Sequence, residues 1–95
     1  MELLTNAIRR ALPPLGATEE QGMQAVARVK FFTPDSSWTW YATEFDGKDI
    51  FFGLAIGVEK ELGYFSLAEL KTIRGKLGLP VERDRYFRPT PLEEL

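Results

Sequence analysis

The chain has 95 residues, a formal net charge of −2, no histidine and no cysteine. That composition removes the commonest general base, the commonest transition-metal ligand, any thiolate site and any disulfide. Its acidic balance speaks against gripping duplex DNA by phosphate neutralisation, and its longest apolar run, residues 50–58, is far short of the roughly 20 residues of a membrane helix.

With 44% hydrophobic and 13% aromatic residues, the chain can bury a core, and its length predicts one domain over residues 1–95. Glu2 and the Arg9-Arg10 pair do not suit a secretory leader, so the expected compartment is the cytoplasm. The first element is an amphipathic helix whose stripe is Leu3, Leu4, Ala7, Ile8, Ala11 and Leu12, ended by Pro13-Pro14. A polar connector, residues 16–22, follows, with capping-box spacing at Thr18 and Gln21.

Residues 24–33 read as a strand with Ala25, Ala27, Val29 and Phe31 on one face and Arg28 and Lys30 on the other. Pro34-Asp35-Ser36-Ser37 is turn chemistry, and residues 38–45 are an aromatic and β-branched strand. Strict alternation puts Trp38, Trp40 and Ala42 on one face, Tyr41 and Phe45 on the other. Asp46-Gly47 signals a hairpin into a third strand, residues 49–58, read as the central one. Its small face, Gly53, Ala55 and Gly57, lets a helix or the rings of a neighbouring strand come close.

Residues 59–63 read as a polar link, and Tyr64-Phe65 leads into a helix near 66–74. Ser66 and Glu69 form its capping box, Leu67, Leu70, Ile73 and Leu77 its buried side, and Gly75 or Gly78 its stop. Residues 81–87 suit a short edge strand, and the tail reads as irregular before a last helical turn. The fold class is α+β: an antiparallel sheet of three to four strands around a central hairpin, packed with an N-terminal helix and the helix near 66–74.

Three constellations could carry function. Glu44, Asp46 and Asp49 gather at the hairpin and could hold a hard divalent cation for hydrolysis, but turn chemistry explains them as well. Trp38 and Trp40 beside Arg28 and Lys30 could stack single-stranded nucleic acid, although bulky rings on one sheet face more often form the core. Arg83, Arg85 and Arg88 alternate with Glu82 and Asp84, so an edge strand would present an arginine row to a phosphate or an acidic partner. The serines have no base to activate them. No cofactor is expected.

The segments Phe31-Phe32-Thr33-Pro34, Trp38-Thr39-Trp40-Tyr41, Phe51-Phe52-Gly53-Leu54, Glu61-Leu62-Gly63-Tyr64-Phe65-Ser66-Leu67, Arg74-Gly75 and Glu82-Arg83-Asp84 keep an order and spacing that resembles the bacterial family DUF2958. The opening Leu-Leu-Thr and the Leu-Pro-Pro-Leu at 12–15 extend the resemblance over nearly the whole chain. It implies a small protein often encoded on plasmids, phages or integrative elements, with no activity or cofactor attached. The expectation is therefore a non-catalytic accessory protein that binds a protein or nucleic-acid partner, with Arg83, Arg85 and Arg88 as the contact surface.

Overall fold

The computed structural model describes residues 2–95. Chain order is α1 (Asn6–Ala11), a 3₁₀ segment (Glu19–Gln24), β1 (Val26–Ala27), β2 (Val29–Phe32), β3 (Thr39–Phe45), β4 (Ile50–Ile56), β5 (Lys60–Ser66), α2 (Leu67–Thr72), β6 (Glu82–Arg83), β7 (Thr90–Pro91) and a final 3₁₀ turn (Leu92–Glu94). The class is α+β with antiparallel sheets: one of five strands in the order β5-β4-β3-β2-β6 and one of two, β1-β7. The sheet is thus larger than the three to four strands expected, and β3 takes the middle place that the sequence suggested for β4.

The extra strand is β5. Lys60, Glu61 and Gly63 are poor strand formers, which made the segment read as a link. Tertiary pairing overrides that preference, because every residue of β5 finds a partner on β4, from Ile56↔Lys60 to Ile50↔Ser66. Both predicted turns are present. Thr33 closes the β2–β3 turn, its N–H donating to the Trp38 carbonyl at 3.0 Å and its hydroxyl accepting from the Trp38 N–H at 3.1 Å. Asp46 Oδ1 accepts from the N–H groups of Lys48, Asp49 and Ile50 at 2.8, 2.8 and 3.0 Å, and Gly47 takes the positive φ of 87°.

Two irregularities redirect side chains against the strict alternation of the sequence. The predicted strand 24–33 breaks at Arg28, so Ala25 and Ala27 pack with Leu54 and Leu92 on one side of the large sheet, while Val29 and Phe31 join the core on the other. In β3 the register shifts between Ala42 and Glu44, a β-bulge that inserts Thr43. The bulge moves Phe45 onto the Trp40 face, where its ring stacks on Phe51 at 4.5 Å, and turns Glu44 to the opposite face beside Phe52.

Both sheet faces are covered. Leu3, Leu4, Leu12, Leu67, Leu70 and Val81 close over Val29, Phe31, Trp40, Phe45 and Phe51. The small face of β4 receives rings as expected: Trp40 pairs with Ala55, and a Cβ added at Gly57 would lie 2.4 Å from the Trp38 ring. On the other face the 3₁₀ turn and β7 bring Leu92 onto Ala25, Ala27 and Leu54, so the tail is part of the fold.

The helices are shorter than their apolar stripes. Thr5 caps α1 by accepting from the Ile8 N–H at 3.1 Å, which leaves Leu3 and Leu4 buried ahead of the helix and Ala7 and Ala11 exposed. The capping box of α2 forms: Ser66 Oγ accepts from the Glu69 N–H at 3.1 Å. The helix ends at Thr72, before either glycine, and Leu77 lies out in solvent. Gly75 serves a different purpose. A Cβ there would meet the Asp35 carboxylate, whose Oδ2 accepts from the N–H groups of Leu77 and Leu79 at 2.6 and 3.2 Å, so the β2–β3 turn clasps the loop after α2.

Candidate functional site

The bulge at Thr43 turns a buried carboxylate toward a pocket beside β5. Glu44 is only 3% exposed. Its Oε1 accepts from the Gly16 N–H at 2.8 Å and its Oε2 from the Thr18 N–H at 2.8 Å and from the Thr18 hydroxyl. Burial alone pushes this carboxyl up, but the bonds from the Thr18 side chain and the Gly16 and Thr18 amides outweigh it and hold the group below its ordinary 4.5. It is therefore a carboxylate at neutral pH. Around it Glu19, Ala25, Phe52, Leu62 and Tyr64 enclose a cavity of about 210 Å³. Carboxylates beside aromatic walls (Phe52 and Tyr64 meet edge to face at 5.1 Å) suit a cationic side chain.

The cavity opens beside the free edge of β5. Leu67 N–H donates to the Asp49 carbonyl at 2.8 Å and Gly57 N–H to the Glu59 carbonyl at 3.1 Å. With the β4–β5 register, antiparallel alternation turns the backbone groups of Glu61, Gly63 and Phe65 toward β4 and those of Lys60, Leu62, Tyr64 and Ser66 outward. No strand covers that edge among the described residues. Leu62 is 47% and Tyr64 70% exposed, both on the cavity side. The sequence reading missed this site because it took the segment for a link; the signal was the pair Tyr64-Phe65, separated from a seven-residue apolar strand by a Gly57 turn and a short charged stretch.

The metal candidates do not converge. Asp46 spends Oδ1 on the hairpin amides, which together hold its carboxyl below the usual 3.8. Asp49 turns to α2, accepting from the Ser66 hydroxyl at 2.9 Å and the Ala68 N–H at 2.8 Å, and Glu44 faces the cavity. Among the described residues no group of three such side chains could hold a metal ion.

The aromatic-basic set is split as well. Trp40 is core at 6% exposure, whereas Trp38 is 44% exposed. Lys30 lies on the opposite face, 3.7 Å from Asp84 and over the rings of Phe32 and Tyr41. Arg28 instead joins Arg83 and Arg85 around a groove of about 280 Å³ at the β6 edge. The expected arginine row is broken there. β6 pairs only over Glu82 and Arg83, the chain turns at Asp84, and Arg83 Nη1 donates to the Glu2 carbonyl at 2.6 Å. Arg85 and Arg88 are exposed, but they follow the turn and do not continue the strand.

Fold and site together define a small α+β domain: a five-stranded antiparallel sheet, covered on both faces and open along one long edge. The family model described as "Protein of unknown function (DUF2958)" matches residues 3–93, and the chain belongs to that family. No curated protein and no solved structure matches it.

Proposed function

We propose that this protein is a non-catalytic binding module that takes up an extended segment of a protein partner as a further strand along β5. The observation that carries this reading is the seven-residue edge on which no strand pairs among the described residues, with Leu62 and Tyr64 exposed beside the cavity. In strand addition the main-chain bonds supply affinity and side-chain pockets supply selectivity. Here the pocket is the cavity of Glu19 and Glu44, so the partner strand carries a lysine or arginine beside an apolar residue. The reading keeps an accessory role on a plasmid, phage or integrative element, as the family resemblance implies, and the cytoplasmic compartment expected from Glu2 and Arg9-Arg10.

Copurification from the producing cells tests it, comparing the native chain with Tyr64→Pro and Leu62→Lys. Tyr64→Pro removes an outward N–H, and Leu62→Lys sets a cation against the partner's lysine or arginine at the pocket; both leave the ladder to β4 intact. A partner recovered with the native chain and lost with both variants is the expected result. A partner retained by both variants would overturn the reading.

A further inference from the structure

Trp38 stands between two depressions on the α2 side of the large sheet. On one flank Thr33 and Ser36, with Ile73, Arg74 and Lys76, surround a groove of about 400 Å³. On the other, Ala55, Val58, Glu59 and Glu61 surround one of about 160 Å³. The indole between them is a fixed platform. It rests on Gly57, where even a methyl group would collide with the ring, and lies nearly parallel to Trp40 at 23° with centroids 5.9 Å apart. Yet 44% of the residue is open to solvent.

The charges on the two flanks are of opposite sign. Arg74 Nη1 is held by the carbonyls of Lys71 and Ile73 at 3.0 and 2.9 Å, which positions the guanidinium and leaves its other nitrogens available. Lys76 is exposed, and its ammonium has no hydrogen-bond or ion-pair partner among the described residues. Glu59 and Glu61 are exposed carboxylates, which accept hydrogen bonds and repel anions. A ligand that fits all three features is a planar ring with an anion on one side and N–H donors on the other.

We propose that Trp38, Arg74 and Lys76 form a binding site for a nucleoside phosphate. The base stacks on the indole, the phosphate meets Arg74 and Lys76, and the amino edge of the base faces Glu59 and Glu61. Stacking of this kind is worth about 1–3 kcal/mol per base, and the phosphate contact weakens as salt rises. The same chemistry serves a free nucleotide and one residue of a single strand. This site lies on the sheet face opposite the Glu44 cavity and shares only Glu61 with β5; Lys76→Glu leaves that strand untouched, so the two readings are tested separately.

Tryptophan fluorescence of the full chain, titrated with adenosine monophosphate and with a short single-stranded oligoadenylate at low and high salt, tests the assignment. Both ligands are expected to quench the emission at low salt. Lys76→Glu, an exposed change that keeps both indoles, is expected to weaken binding about tenfold or more, and Trp38→Leu to remove it with the far-ultraviolet circular dichroism unchanged. Equal affinity per base identifies the free nucleotide as the ligand; affinity rising with strand length identifies single-stranded nucleic acid. An unchanged spectrum with both ligands at low salt, or an affinity untouched by Lys76→Glu, would overturn the proposal.

Discussion

The two edges of the five-stranded sheet end in opposite ways. At the β6 edge the strand pairs for only two residues before Asp84 turns the chain away, its carboxylate accepting from the Tyr86 N–H at 2.9 Å, and Arg83 ties the strand to the N-terminal segment. At the β5 edge seven residues pair with β4 alone, with exposed Leu62 and Tyr64 on one face and no strand on the outer side among the described residues. Exposed edges invite pairing with other chains, and proteins blunt them with turns, charges or short strands. One edge here is cut short by a turn; the other keeps a seven-residue strand whose charges, Lys60 and Glu61, fall at its start, and this is the edge to which the proposed strand addition is assigned.

Proline substitutions separate the two roles of β5 most sharply. The N–H of Gly63 faces β4, so Gly63→Pro removes a ladder bond and is expected to lower unfolding stability by about 1–3 kcal/mol. The N–H of Tyr64 faces outward, so Tyr64→Pro is expected to cost well under half as much. Chemical denaturation of both variants measures the difference, and equal losses would mean that the backbone alternation assigned to β5 is wrong.

The cavity beside that edge depends on Glu44. Glu44→Gln replaces an ionised acceptor that holds Gly16 and Thr18, with an expected loss of about 2 kcal/mol at neutral pH. The folded carboxyl titrates below its ordinary 4.5, so acidification protonates the unfolded chain first. The stabilisation is complete above about pH 4.5 and drains away as pH falls through the folded value. Denaturation midpoints measured across that range should fall more steeply for the native chain than for Glu44→Gln.

Away from the edges, Gly75→Ala is expected to cost about 1–2 kcal/mol, because the new methyl displaces the Asp35 carboxylate from the amides of Leu77 and Leu79. The cost should shrink in an Asp35→Ala background, and a double-mutant cycle measures that coupling. The smallest effect belongs to the blunted edge. Lys30→Ala removes a partly exposed ion pair of 3.7 Å to Asp84 and should change stability by about 1 kcal/mol or less. A larger loss would show that the β6 edge is held by more than its turn.

Much of this architecture is legible in local chemistry. Asp46-Gly47 and the Ser66–Glu69 cap satisfy backbone groups within a few residues, so their type and spacing announce the hairpin and the start of α2; Pro34 to Ser37 announce the β2–β3 turn, although Thr33 closes it and Asp35 reaches across to Leu77 and Leu79. The small face of β4 announces rings lying on it, and Trp38 and Trp40 lie there. The candidate site was mostly illegible, because its parts are charged or small residues recruited by partners distant in sequence. Lys60-Glu61-Leu62-Gly63 becomes a strand only because β4 offers a ladder. Glu44 reaches the cavity only because one inserted residue, Thr43, reverses the alternation of β3.

By itself, then, the sequence determined the α+β class, the two central turns and the cap of α2, since each depends on neighbours a few bonds away. Tertiary structure decided which face each side chain occupies, how many strands the sheet holds and which edge stays open. A bulge, a strand break or a long-range ladder costs little locally, and only burial against the rest of the molecule selects among the alternatives.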